Sequence, residues 1–451
     1  MNIIKTAALT FIIFFIISVS AFSQDNSTDK TGTAEPVAVI SKINYLIDGT
    51  TKEKALRNRS DLYEGLSFSS YSDLEAAVKK EKQALINRRV FKNVEYSIES
   101  ISFNKETNTQ EYLVTFKIKD AFTIIPIPYP KYDSNIGFRL GLKLYWDNFL
   151  GTMTNAYLGT WIDFNNNGVG EWGINPKFTG MKISDRVYMS VEFLQSHELE
   201  EYVDTINPSN SYNYDYYATS GAASFSFRLG DKLAYIYKSY SFGLGASFKY
   251  KYKGNLGPNF EQPWAVTPFQ SFGIGRTDWI NNFRKGWRLS LYNPYRIGYN
   301  NNVFFITSVN ASVLYFVPFW KRFDFYSRAY TFYQWGEPRS FGEMIRGVKD
   351  TYVSGYAGVV LNASLAFQFW RFEKVWDAQI HPFFDFAVSY NKDKFIPERD
   401  INYGAGFDFA LYLDALPSIV AVASIGVDIK RLDMDNLSDC IEVSVGSSLH
   451  Y

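Results

Sequence analysis

From Phe122 to the terminal Tyr451 the chain repeats one pattern. Segments of about ten residues alternate apolar and polar side chains and are parted by polar turns, a period-two signature of strands with two unlike faces. Phe138, Leu140, Leu142, Leu144 and Trp146 share one face of an early segment, with Arg139, Gly141, Lys143 and Tyr145 on the other. Ile441, Val443, Val445, Leu449 and Tyr451 share one face of the last segment, opposed by Glu442, Ser444, Gly446, Ser448 and His450. The first of sixteen such segments lies near 122–130 and the last near 439–451. An even number is what bacterial single-chain barrels require. Two architectures bury a one-sided apolar face of this kind: a sandwich, against a second sheet, and a membrane barrel, against lipid.

Composition and the N-terminus favour the second. Aromatic residues make up 18% of the chain, with 33 Tyr and 39 Phe. Tyr and Trp rings suit the two lipid–water interfaces of a barrel wall. Lys5, the apolar run Ala7 to Ile17 and the small-x-small site Ala21-Phe22-Ser23 read as a secretory signal, so the mature chain is expected to start at Gln24. No Cys stands at that site to carry a lipid. Beyond it no stretch of about eighteen apolar residues occurs, so spanning by helices is excluded. The single cysteine, Cys440, excludes a disulfide framework. Lys+Arg and Asp+Glu stand at 46 each, so no bulk basic surface argues for nucleic acid.

Upstream of the barrel the periodicity is mixed. Residues 24–35 form a polar linker, and 36–120 read as one small α/β domain in the order strand, helix, helix, strand, strand. Ser72-Asp73-Leu74-Glu75 is a capping-box sequence for the second helix. The expected organisation is therefore a signal peptide at 1–23, a linker at 24–35, the α/β domain at 36–120 and the barrel at 121–451. Two long loops are expected, 198–217 and 335–354.

Three constellations stand out. The second long loop carries Ile345-Arg346-Gly347-Val348. On the segment around 378–390, Asp385 has the lumen-facing parity, and Asp408 has it on the next segment. A guanidinium confined in a lumen needs a carboxylate, and its planar fork suits a bidentate pair; Asp385 is the first candidate and Asp408 the alternative. Pro126, Pro128 and Pro130 are spaced by two, so in a strand all three missing N–H groups face the same neighbour. That geometry weakens one edge of the first strand and suggests a lateral seam against the last strand, which ends at Tyr451; a polyproline connector is the other reading. Signs of catalysis are weak. His197, His381 and His450 are scattered, His197-Glu198 lacks a second His four residues on, and no G-x-S-x-G elbow or Walker loop occurs. No enzyme activity, metal or cofactor is expected.

With these residues assembled, the chain resembles the outer-membrane surface-antigen superfamily, the BamA/TamA and two-partner-secretion transporter group. The 36–120 domain resembles a single POTRA domain: Gly49, Glu64-Gly65-Leu66-Ser67-Phe68 and Val90-Phe91-Lys92-Asn93-Val94 lie where that family has its turn glycine and its two short motifs. Arg89 departs from the pattern, standing in a glycine neighbourhood. Asp147-Asn148-Phe149-Leu150-Gly151 resembles the turn after the second barrel strand. Ile345–Val348 resembles the family's [VI]-R-G-[FY] loop motif with Val348 for the aromatic, and Phe383-Phe384-Asp385-Phe386-Ala387 its F-x-D-x-G strand with Ala for Gly. The resemblance implies that the loop folds into the barrel and that its Arg pairs with the later Asp. It also implies an outer-membrane protein with a periplasmic N-terminal domain, acting in insertion, assembly or translocation of proteins, with outer-membrane lipids and periplasmic or nascent protein clients as partners. A passive channel or surface receptor of the same architecture is the alternative.

Overall fold

The computed structural model describes residues 35–133, 137–165, 168–203, 211–230, 236–253, 264–300, 302–349, 352–391, 400–418, 420–433 and 440–446. The expected signal peptide, nearly all of the linker, and Tyr451 lie outside the described residues.

The N-terminal domain runs β1 (Val37–Asp48), α1 (Glu53–Arg59), β2 (Ser67–Phe68), α2 (Tyr71–Ile86), β3 (Phe91–Asn104) and β4 (Thr109–Asp120). Its sheet has the order β2-β1-β4-β3, with β1 parallel to β4 and β3–β4 an antiparallel hairpin. Ile40 and Ile43 of β1 and Val114, Phe116 and Ile118 of β4 pack against Leu74, Val78 and Leu85 of α2. Burying each such side chain is worth about 1.5–3 kcal/mol, which holds the helix on the sheet. The N-cap of α2 is Ser70 rather than Ser72: the Ser70 hydroxyl accepts from the Asp73 amide at 3.1 Å and donates to the Asp73 carboxylate at 2.9 Å. The capping chemistry is thus shifted two residues towards the N-terminus, because Tyr71 and Ser72 already belong to the first turn.

The barrel wall is one sixteen-stranded antiparallel sheet. Its first half is β5 (Ile124–Asp133), β6 (Gly137–Trp146), β7 (Asn155–Asn165), β8 (Gly168–Ser184), β9 (Val187–Val203), β10 (Ser211–Leu229), β11 (Tyr237–Lys253) and β12 (Trp264–Ile280). Next come β13 (Phe283–Asn300), β14 (Asn302–Trp320) and β15 (Phe323–Trp335). A loop with the two-residue pair β16 (Arg339–Ser340) and β17 (Ser354–Gly355) intervenes. The wall then resumes with β18 (Ala357–Phe372), β19 (Trp376–Tyr390), β20 (Ile401–Leu413), β21 (Val420–Asp428) and β22 (Ile441–Gly446). Neighbours in the chain are neighbours in the sheet, with β15 passing directly to β18.

Alternation along the strands separates two environments. Phe138, Leu140 and Leu142 on β6, Val359, Leu361 and Leu365 on β18, and Phe407, Phe409 and Leu411 on β20 point outward and form an exposed apolar belt. On the same strands Asn362, Ser364 and Asp408 are buried inside. A protein surface in water does not sustain so much exposed apolar area, whereas a lipid-facing wall requires it.

Two segments differ from expectation or resolve it. The 198–217 stretch is mostly strand: β9 and β10 stay paired from Tyr188↔Ser226 to Val203↔Ser211. Polar ladder contacts, Tyr216 to Glu198 at 2.5 Å and His197 to Asp215 at 2.7 Å, stabilise this part of the hairpin where apolar alternation is lost. The proline segment is a strand rather than a connector, paired with β6 from Ile124↔Trp146 to Asp133↔Gly137 without a bulge.

The N-terminal domain docks on the barrel end whose turns span two to eight residues, opposite the end that carries the 336–356 loop. Asp61 receives both terminal nitrogens of Arg228 at 2.6 and 2.7 Å. Arg59 donates to the Gly180 carbonyl at 2.7 Å, and Asn148 donates to Thr51 at 2.6 Å. Asn87 bonds Asp278 and the Trp279 amide at 2.8 and 2.9 Å. These contacts fall on several hairpins around one mouth.

Candidate functional site: the lumen loop and the strand edges beside it

The loop between β15 and β18 folds inward. Phe341, Ile345, Val348 and Val353 pack with Phe332, Val360 and Ala387 of the wall in one buried cluster. Val348, which takes the place of an aromatic, is fully buried there, beside the equally buried Phe341. Gly358 leaves room for Phe341, since a Cβ at that position would come within 2.7 Å of its ring. The base of the loop is tied by Arg328 and Asn362, which donate to the Met344 carbonyl at 3.1 and 2.9 Å.

At the tip, Arg346 is 6% exposed and makes four side-chain hydrogen bonds. Nε and Nη2 grip Asp385 at 2.9 and 2.8 Å, Nη1 donates to Asp408 at 2.6 Å, and Nη2 also reaches Ser364 at 3.1 Å. The guanidinium lies 3.8 Å over the Phe383 ring. The Arg346 backbone amide also donates to Asp385, at 2.9 Å. The two candidate acids therefore act together. Asp408 is completed by Ser424, which donates at 2.6 Å. Three adjacent strands, β18, β19 and β20, hold one side chain.

Glycine makes the approach possible. Gly347 has φ +83°, a left-handed conformation that favours glycine. A Cβ on Gly347 would come within 2.6 Å of the Val427 amide nitrogen, and one on Gly426 within 2.6 Å of Gly347. A Cβ on Gly404 would fall on the Arg346 carbonyl oxygen. The loop backbone lies directly on the backbones of β20 and β21. The Gly347 amide then donates to Glu442 of β22 at 2.7 Å. Parity alone puts Glu442 inside but cannot supply its partner.

The phase of the β5–β6 ladder follows from one bond: the Asp147 amide donates to the Thr123 carbonyl at 3.0 Å. Hydrogen-bonded pairs alternate from there, through Ile125↔Tyr145, Ile127↔Lys143 and Tyr129↔Gly141. Pro126, Pro128 and Pro130 occupy the other positions, whose backbone groups turn away from β6. Their missing N–H groups all lie on the outer edge of β5. Among the described residues no ladder joins β5 to β22. Tyr451 lies outside the described residues.

Arg89 was visible in the sequence only as a departure from glycine. It keeps the left-handed conformation, with φ +58°. Its guanidinium stacks 4.3 Å over Trp279 and donates to the Asn281 carbonyl at 3.0 Å, to the Asn282 side chain at 3.1 Å and to the Pro417 carbonyl. It thereby ties the β12–β13 and β20–β21 turns to the N-terminal domain. Burial lowers the Arg89 pKa to about 10, which leaves it charged at neutral pH.

Among the remaining groups, His381 is buried in the wall, bonded to Gln379 at 3.0 Å and edge-on to Tyr326. His197 pairs with Asp215, and buried Cys440 donates to the Arg431 carbonyl at 2.7 Å. These are packing and pairing roles. Among the described residues no three His, Cys, Asp or Glu side chains are grouped to hold a metal ion.

The fold and the lumen loop together define a class: a sixteen-stranded barrel of the outer-membrane type with a small N-terminal α/β domain and an inward-folded, arginine-tipped loop. No family model matches the chain, and no curated protein matches it in sequence. Solved structures do. CdiB from Acinetobacter baumannii aligns with TM-score 0.59 at 11% identity, over 91% of this chain and 73% of that one. CdiB from Escherichia coli aligns with TM-score 0.53 at 13% identity, over 94% and 91%. The likeness is one of fold.

Proposed function

We propose that this protein sits in the outer membrane with residues 36–120 as a periplasmic POTRA domain, and that it acts in insertion, assembly or translocation of proteins there. The apolar belt supports burial in lipid, and short turns at the docked end fit the periplasmic side of such barrels. The observation that carries the reading is the pairing of an inward-folded, arginine-anchored loop with a donor-poor first strand. Arg346 locks the loop inside the barrel, against β18, β19 and β20. Pro126, Pro128 and Pro130 leave the outer edge of β5 short of ladder bonds, where the low-polarity surroundings make each missing bond costly. A wall with one weak edge can part there and admit an incoming strand. The N-terminal sheet offers β3 as an edge strand that can take up an extended client by β-augmentation. The reading involves outer-membrane lipids and polypeptide clients, and no nucleic acid, cofactor or bond-making chemistry.

The test is photo-cross-linking in cells from a reactive residue at Ile127 on β5 or Val443 on β22. Capture of nascent barrel proteins from these two edges, and not from Phe305 on the opposite wall, is the expected result. No capture, together with steady ion conductance of the purified protein in bilayers, would instead establish a passive channel.

A further inference from the structure

The lumen loop touches every strand from β18 to β22, and it does so unequally. Three strands are held by the guanidinium of Arg346, through Ser364, Asp385 and Asp408. The fourth, β21, is held by close backbone packing of Gly347 on Gly426 and Val427. The last, β22, is reached by the bond from the Gly347 amide to Glu442. Among the described residues the ladder of β22 to β21 runs from Val422↔Gly446 to Val427↔Ile441. Its outward side chains Ile441, Val443 and Val445 are 40, 65 and 81% exposed. A carboxylate accepting from an amide makes a charge-assisted bond, about twice as strong as a neutral one.

We infer that Glu442 couples the lumen loop to the last strand, so that release of the loop and loosening of the β22 edge are a single event. This rests on the reading of the β5 and β22 edges as the part of the wall that opens. Coupling between two such elements is reciprocal: whatever loosens the loop loosens β22, and a partner that draws β22 away weakens the loop. The anchoring is graded. The loop is held by the whole Arg346 cluster, whereas its tie to β22 runs through Glu442. A client strand that draws β22 away therefore acts on the loop through Glu442, and its binding lowers the barrier to loop release. Glu442 is a positioning residue in this scheme and acts through Gly347.

The test is hydrogen–deuterium exchange of the full chain in liposomes, with no client present, read on the peptide covering 441–446 and, as a control, on 420–428. In Glu442→Ala the 441–446 peptide is expected to exchange about tenfold faster or more, the factor implied by loss of one charge-assisted hydrogen bond. Arg346→Ala should speed the same peptide to a similar extent, and the double variant should add nothing further, because both changes cut one linkage. Glu442→Gln keeps an accepting oxygen and should fall between wild type and Ala, which also supplies a folded variant should Ala fail to form the barrel. Wild-type protection of 441–446 in both Glu442 variants, additive effects in the double variant, or equal acceleration of the control peptide would each overturn the coupling. Because no client is present, a failure to insert clients leaves this result standing, and the two readings fail separately.

Discussion

Replacing Arg346 by alanine is the sharpest perturbation of this fold. The guanidinium pairs with both Asp385 and Asp408 in the lumen, and the two acids are 0 and 3% exposed. Removing it deletes four side-chain hydrogen bonds and leaves two carboxylates facing a cavity. Breaking a buried ion pair by removing one partner costs about 3–5 kcal/mol. That range applies once here and not twice, because Asp408 keeps Ser424 and Asp385 keeps the backbone amide of residue 346. At 1.4 kcal/mol per factor of ten, the docked loop loses about a hundredfold to a few thousandfold in population. Arg346→Lys should lie between, since an ammonium can serve one carboxylate at a time and cannot reproduce the bidentate grip. The assay is urea-driven unfolding in lipid vesicles followed by tryptophan fluorescence, with exchange of the peptide 341–349 as the local reading. An Arg346→Ala protein within about 0.5 kcal/mol of wild type, the scatter expected of ordinary surface substitutions, with 341–349 still protected, would refute the argument that this cluster anchors the loop.

Two further outcomes follow from the same geometry. Gly404→Ala places a methyl group on the Arg346 carbonyl oxygen and should destabilise loop docking by about 1–3 kcal/mol, as overpacking does; unchanged exchange of 341–349 would show that the loop is not pressed against β20. In the N-terminal domain, burial first and the neighbouring Asp61 second raise the pKa of Glu81. A carboxyl group raised in the folded state favours folding below its ordinary value, and that contribution is lost as pH rises through the folded value. Glu81→Gln should therefore match wild type near pH 4 and be more stable above it, read by exchange of α2; a constant difference across pH would sink the assignment.

The barrel was legible in the sequence because lipid allows each strand one apolar face. Phe138 to Trp146 show that alternation without any help from tertiary context. The alternation fails where lipid ends, which is why the β9–β10 extension looked like a loop: Tyr216, Glu198, His197 and Asp215 hold it by polar pairs that carry no periodic apolar signal. Parity put Asp385 and Asp408 on inward faces but could not say that one guanidinium serves both, since that depends on how β19 and β20 are registered, with Gly404 opposite Asp385 and His381 opposite Asp408. The Gly347–Glu442 bond joins residues 95 positions apart and is set by curvature of the wall. Arg89 is a similar case, because nothing local to residues 88–90 foretells Asn281, Asn282 or Pro417.

The proline spacing has a consequence for chemical polarity. Five positions of β5 turn their backbone away from β6, namely Ile124, Pro126, Pro128, Pro130 and Tyr132, and only the first and last carry a proton to donate. A chain lying alongside meets five carbonyl oxygens and two amides. It can give protons to this border but finds few to receive, so any such partnership stays half-made, easily begun and easily undone.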